Sequence, residues 1–245
     1  MRKNIWLSLF ALCFIAGGVN VSNGLQAADY NPDSVLIKKC QDFKITGDGL
    51  SEPWKITEWI NLAQQERNTS LYKTKVKTLY SQTGIYFLFN CEDNKLTSTM
   101  MADNLNLYEE DVVEVFLWTN ENFPVYFEYE LSPLNFELPI MVPNNKGTFL
   151  GWLPWHYEGD RRTRHATSVT GGTKESGSIV SGWIAEFFIP FKLLAPLSPV
   201  PPLSGTRWRA NMYRIDYDNG ITPYSWQKTD KTFHDFNKFG TFIFE

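Results

Sequence analysis

The sequence predicts an all-β protein, a β-sandwich or jelly roll carried as a single domain behind an N-terminal leader. Three observations predict it. From Asp42 onward the apolar pattern has mostly a period of two. Runs rich in Val, Ile, Phe, Tyr and Trp recur at roughly ten-residue spacing. Clusters of Gly, Pro, Asn and Ser separate them, the punctuation of short strands joined by turns. The 245 residues are 43% hydrophobic and 20% charged, a balance that fills a substantial core and does not describe a disordered chain.

In chain order, Met1-Arg2-Lys3 is a short positive start and Ile5 to Ala16 is almost uninterruptedly apolar. Gly17, Gly18, Ser22, Gly24, Ala27 and Ala28 follow, small or polar, as in a secretory signal peptide. Residues 1–28 are assigned to that leader and 29–245 to the folded domain; the cut falls after Gly24 or near Ala27 and Ala28. The apolar run is shorter than the ~20 residues a membrane span needs, so the expectation is a secreted or periplasmic protein without a span. Lys55 to Arg67 is read as holding one or two helical turns. Lys73 to Tyr80 and Gly84 to Cys91 read as a hairpin across Ser81 to Thr83. Asp111 to Trp118, Val125 to Leu131 (aromatic alternating with acidic), Trp183 to Pro190, Trp208 to Asp216 and Phe239 to Phe244 continue the strands. Phe191 to Ala195 reads as one more helical turn. Pro139 to Gly159 and Ser198-Pro199-Val200-Pro201-Pro202 read as loops within one domain.

Export frames the cysteines. Cys13 leaves with the leader, so Cys40 and Cys91 remain as an even pair in a compartment that permits disulfides. A bridge between them is expected; the alternative is two buried thiols behaving as small apolar residues. No spacing resembles a thiolate zinc site.

The formal charge is −4, and the leader's Arg2 and Lys3 lie outside the mature chain. A net-acidic domain lacks the field that grips a polyanion, and Arg161-Arg162-Thr163-Arg164 reads as a solvated loop, so nucleic acid is excluded. His156, His165 and His234 are scattered, and neither a Gly-x-Ser-x-Gly nucleophile motif nor a phosphate loop is present. The acidic run from Glu109 to Glu114 fits Glu-x-Asp-x-x-Glu, and a retaining glycosidase using Glu109 and Glu114, about 5–5.5 Å apart, is the alternative reading. On a regular strand Glu109 and Asp111 share a face that Glu114 does not. The preferred reading assigns no catalytic residue.

Aromatics are the compositional outlier at 16%. A saccharide presents an apolar ring face and a rim of hydroxyls, so its recognition calls for flat aromatic rings beside carboxylates, amides and guanidiniums. Loops between the expected strands supply both: Tyr108 next to Glu109, Trp226 with Gln227, and Phe233-His234-Asp235. Trp54, Trp183 and Trp208, amid apolar strand residues, are assigned to the core.

Six segments in order resemble the family 9 carbohydrate-binding modules and their stand-alone relatives. They are Lys44-Ile45-Thr46-Gly47-Asp48-Gly49 with Pro53-Trp54; Ile85-Tyr86-Phe87 with Cys91-Glu92-Asp93; and Glu110-Asp111-Val112-Val113-Glu114-Val115-Phe116. Gly182-Trp183-Ile184-Ala185-Glu186 with Ile189-Pro190-Phe191, Trp208-Arg209-Ala210-Asn211 with Arg214, and Phe233-His234-Asp235 with Lys238-Phe239-Gly240 complete the set. The resemblance implies a β-sandwich that holds poly- or oligosaccharide between two rings in support of polysaccharide breakdown, with calcium in some members. Carried over position by position, the rings fall on Tyr108 and Phe233 and the acidic hydroxyl ligand on Glu114. Both rings are tryptophan in the family's characterised sites, so Tyr and Phe offer less stacking area here. Arg209, Arg214 and Gln227 are added as donors near those loops, with Trp226. Asp93, Asp103 and Asp111 are candidate oxygen ligands for a structural calcium, although their spacing matches no known loop. No other cofactor is required.

Overall fold

The computed structural model describes residues 32–65, 72–145 and 148–245, all within one compact unit, Asn31–Glu245. The leader assigned to residues 1–28 lies outside the described residues. Among the described residues fourteen strands run in chain order: β1 (Ser34–Lys39), β2 (Ile60–Gln64), β3 (Thr74–Tyr80), β4 (Gly84–Glu92), β5 (Val112–Trp118), β6 (Val125–Leu131) and β7 (Glu137–Asn145). Then come β8 (Thr148–Phe149), β9 (Leu153–Pro154), β10 (Arg164–Thr170), β11 (Gly182–Pro190), β12 (Arg207–Asp216), β13 (Thr222–Ser225) and β14 (Gly240–Phe244). Among the described residues the one α-helical turn is α1 (Phe191–Leu194).

The strands form two layers. The first runs β10-β11-β4-β3 and the second β14-β12-β5-β6-β7-β8. β1 joins them: Ser34 to Ile37 pair parallel with β14, and Lys38 and Lys39 pair with β3. β2 and β13 make a second seam, because β2 pairs with both β3 and β13. The arrangement is thus a sandwich whose edges are partly closed.

Side-chain parity explains why these strands bury so many residues. Between the layers lie Val76, Phe87, Phe89, Trp183, Ala185 and Phe187 from the first, and Val113, Val115, Leu117, Phe127, Tyr129, Trp208 and Met212 from the second. The outer face of each layer is covered as well. Trp54 caps Leu79, Tyr86, Leu88 and Phe188 on the first. On the second, Leu107, Phe236 and Phe239 cover Val112, Phe116, Trp118, Tyr126, Leu138, Ile140 and Tyr213. All seven residues of β5 are therefore buried, and each fully buried large apolar side chain contributes roughly 1.5–3 kcal/mol.

Several expectations change in the structure. Lys55 to Arg67 holds no α-helix among its described residues; a 3-10 turn covers Glu52–Ile56, and β2 occupies Ile60–Gln64. Proline at the start of that turn and the β-branched Thr57 and Ile60 after it favour an extended exit. The basic loop ends in a strand, since Arg164 opens β10, which pairs with β11 from Arg164↔Phe188 to Thr170↔Gly182.

The expected Cys40–Cys91 bridge is absent: both are free thiols. The Cys40 N–H donates to Tyr80 O at the end of β3, whereas Cys91 pairs with Thr74 at its start. At ~3.3 Å per residue that separates them by about 20 Å, well beyond the ~4.4–6.8 Å between the Cα atoms of a bridged pair. Burial pushes the Cys91 thiol up to about 12 and the Cys40 thiol up to about 11.

Candidate functional site

The outer face of the second layer brings the expected ring and carboxylate positions together. Even-numbered residues of β5 and β6 point there, so Glu114 lies beside Phe116, and Glu128 and Glu130 lie beside Tyr126. The register sets Glu114 opposite Glu130, with Tyr213 of β12 opposite Glu114 on its other side. Directly opposed residues stand ~4.5–5.5 Å apart at Cβ. All three glutamates are buried, at 2%, 4% and 0% exposure for Glu114, Glu128 and Glu130.

Two loops wall this floor. Tyr108 sits half-buried on a 3-10 turn, Leu107–Glu109, whose Leu107 anchors in the apolar cluster. Its carbonyl accepts the Tyr217 hydroxyl at 2.7 Å. Asp111 braces the same connection by accepting the N–H groups of Thr97 at 2.6 Å and Tyr217 at 2.9 Å. Phe233 is half-buried on the opposite loop and stacks on Tyr213 with centroids 4.0 Å apart and planes at 13°. The Tyr213 hydroxyl donates to Phe233 O at 2.9 Å, locking the loop to the sheet. Phe236 and Phe239 pin the rest of it, and Gly240 ends it where a Cβ would come within 2.4 Å of the Trp226 ring.

The electrostatics of the floor are one-sided. Glu114 is held well above the usual carboxylate range, first by burial and then by the Glu128 charge. Burial pushes Glu128 up to about 8. Glu130 is raised by burial, then by Glu114 and Glu128. The Glu128 and Glu130 carboxyls bond to each other and Glu130 accepts from the Tyr108 N–H, while Glu114 Oε1 is buried with no hydrogen-bond partner among the described residues. The Tyr108 hydroxyl is raised by burial and then by Glu109, Glu130 and Glu128; that of Tyr213 is raised by burial and by Glu114 and Glu128 as well. His234 adds a polar edge. Its ring is stacked between Phe116 and Phe149, and its Nδ1 is 2.6 Å from the Tyr126 hydroxyl and 3.7 Å from Glu128 Oε2. Burial pushes its pKa down to about 4, so it is neutral at pH 7 and forms no ion pair with Glu128.

The other expected residues are placed elsewhere or occupied. Arg214 has the opposite parity and lies between the layers, fully buried. It pairs with Asp93 at 2.9 Å and Asp216 at 3.2 Å and donates to Glu92 O at 2.6 Å. Arg209 donates to the carbonyls of Phe239 and Gly240 and lies 3.6 Å from Glu121. Trp226 packs in the core at 2% exposure, donating to Pro32 O. Gln227 sends its side-chain amide to the same carbonyl, and its backbone N–H and C=O meet the Asn211 amide. Trp54, Trp183 and Trp208 are core residues.

Asp93, Asp103 and Asp111 do not fit a shared calcium. Asp93 serves Arg214 and the Trp183 indole, Asp103 accepts the Glu137 N–H, and Asp111 accepts Thr97 and Tyr217. Among the described residues no group of three His, Cys, Asp or Glu side chains is placed to hold a metal ion. Glu109 is exposed on its turn, accepting from Asn106, while Glu114 is buried within the sheet. No hydrogen bond among the described residues joins the two.

Sequence reasoning named His234 only as part of the Phe233-His234-Asp235 loop and missed Glu128 and Glu130. The alternation of β6 carried the signal for these two, because Tyr126, Glu128 and Glu130 share a parity. A separate cleft of about 1240 Å³ lies on the other layer, lined in part by Phe43, Lys44, Arg164, Phe188 and Lys192. None of the expected site residues lines it. Volume alone does not make it the site, because the buried carboxyls and the two candidate rings lie elsewhere.

Among solved structures, the chain is similar to a candidate carbohydrate-binding protein from Bacteroides uniformis ATCC 8492. That match has 16% identity, a TM-score of 0.69, and covers 86% of this chain and 99% of the other. A carbohydrate binding module family 9 from Caldicellulosiruptor kristjanssonii, solved with glucose, matches at 18% identity with a TM-score of 0.62, covering 86% and 95%. The same module with cellotriose gives 18%, 0.61, 86% and 93%. These likenesses concern the fold. No curated protein matches the sequence significantly. The family model described as carbohydrate family 9 binding domain-like matches residues 45–245, and the chain belongs to that family.

Proposed function

We propose that this chain is an exported, non-catalytic saccharide-binding protein that supports polysaccharide breakdown. It holds a sugar ring between Tyr108 and Phe233, over Glu114 and its carboxyl neighbours. The observation that carries the reading is the coincidence, on one sheet face, of two half-buried rings with a set of buried carboxyls. Apolar sugar faces stack on the rings, while hydroxyls donate to the carboxylates or accept from their protonated forms. Family membership, and the glucose and cellotriose carried by the Caldicellulosiruptor module, support the ligand class. A stacked ring with a few hydroxyl bonds gives roughly micromolar to millimolar affinity, about −8 to −4 kcal/mol.

Calorimetric titration with soluble cello- and xylo-oligomers tests the site. The Tyr108→Ala/Phe233→Ala double variant is expected to lose measurable binding, and unchanged affinity would remove both residues from the site. Export is tested separately by the N-terminus of the processed protein, expected between residues 25 and 29.

A further inference from the structure

The cleft of about 1240 Å³ on the first layer is a different kind of surface from the ring-and-carboxyl face. Under it runs a file of rings. Phe43 stacks on Tyr86 with centroids 4.3 Å apart, Tyr86 meets Phe188 at 4.6 Å, and the Arg164 guanidinium lies 3.9 Å from the Phe188 ring centroid. The β10–β11 register sets Arg164 opposite Phe188, so strand pairing holds the guanidinium over that ring. Asp42 ties the file to the β3–β4 turn by accepting the hydroxyls of Tyr86 at 2.8 Å and Thr83 at 2.7 Å.

The charge on this cleft is uneven. Lys44, Arg162, Arg164 and Lys192 line it against Asp42 and Asp160, a cationic surplus on a chain whose formal charge is −4. Lys192 is paired with Asp160 at 2.5 Å and Arg162 with Glu158 at 3.3 Å. The Arg164 charge reaches Asp42, whose bonds go to the two hydroxyls. Among the described residues no hydrogen bond or ion pair engages the Arg164 guanidinium or the Lys44 ammonium, and both residues are exposed.

We propose that this cleft is a second binding site, for an acidic saccharide, with a uronate carboxylate held by Arg164 and Lys44. A guanidinium already stacked on a ring is held in place, and its fork matches both oxygens of a carboxylate. Lys44 adds a point charge. Phe43, Ile45, Phe191, Val200 and Pro201 supply apolar surface beside the cations, which the face of a pyranose uses and a bare inorganic anion does not. The volume exceeds the ~300–1,000 Å³ of an ordinary small-ligand pocket, so linked rings fit. Membership of a carbohydrate-binding family favours a saccharide over other anions with an apolar face. The inference stands apart from the site between Tyr108 and Phe233, because a neutral sugar gains nothing from the two cations.

The test is calorimetry at pH 7 and low salt with three probes: trigalacturonate, its fully methyl-esterified form, and N-acetylated, C-amidated triglutamate, which carries the same three carboxylates without sugar rings. Trigalacturonate is expected to bind at least tenfold more tightly than either of the others and to weaken as salt is added. Arg164→Gln should weaken it at least tenfold and Lys44→Gln severalfold; the two exposed positions give independent readings. Saturating cellotriose should not displace it. Equal binding of acid and ester, no binding of the acid, or unchanged affinity in both variants overturns the inference. Triglutamate binding as tightly as the saccharide overturns the choice of sugar, and displacement by cellotriose overturns a second site. None of these outcomes touches the binding of neutral oligomers at Tyr108 and Phe233, which their own double variant reports.

Discussion

The acid cluster makes stability fall with pH, and Glu128→Gln isolates that effect. Glu128 rises from 4.5 to about 8 because burial penalises its charged form. A raised pKa means that the folded state holds the proton more tightly than the unfolded state. The stabilisation is thus fully present below pH 4.5 and is lost as pH rises toward about 8. One pH unit corresponds to about 1.4 kcal/mol, so the interval from 4.5 to about 8 gives roughly 5 kcal/mol as a ceiling. Glutamine keeps the shape and removes the titration, and it relieves Glu114 and Glu130 of one like charge. Other groups titrate nearby: His234, depressed to about 4, gains stability as pH rises, and Asp111, pushed up to about 8 by burial and the Asp93 charge, loses it. Taking the difference between variant and wild type largely cancels them. Urea unfolding at pH 5 and pH 8 provides the assay. The advantage of Glu128→Gln should grow by several kcal/mol between the two. A gap that stays constant, or shrinks toward pH 8, refutes the account of the floor.

Arg214→Met leaves Asp93 and Asp216 without their buried partner, and unfolding experiments should show a loss of about 3–5 kcal/mol. Gly240→Ala forces a Cβ toward the Trp226 ring at 2.4 Å and should cost about 1–3 kcal/mol by the same measurement. Cys40 and Cys91 should both titrate with a thiol reagent in urea without reductant, and in the folded protein the buried Cys91 should not react. A bridged pair would give no signal from either.

Much of the fold is written in local periodicity. The hairpin β3–β4 and the strands β5, β6, β11, β12 and β14 each carry a run of β-branched and aromatic residues, and their observed ends lie within a residue or so of the expected ones. β1, β7, β10 and β13 were harder to see. Charged residues, prolines or small polar residues interrupt their apolar pattern, and pairing with neighbours, not propensity, keeps them extended. The candidate site was legible as a placement, in that the positions the resemblance gives to Tyr108, Glu114 and Phe233 lie on one sheet face. It was not legible where parity decides the face. Arg214 has the parity of Met212 and Trp208 and turns into the sandwich, while the neighbouring Tyr213 turns out to the site face. The acids of β6 were not legible as buried groups because nothing in Val125 to Leu131 reveals that both faces of the strand are covered.

A crystal soaked with a β-1,4-linked trisaccharide tests the central claim most directly. The account predicts a sugar ring against Tyr108 and Phe233 with a polar atom in hydrogen-bond reach of Glu114. A sugar seated only in the cleft lined by Phe43, Arg164 and Phe188, with both rings bare, would contradict it.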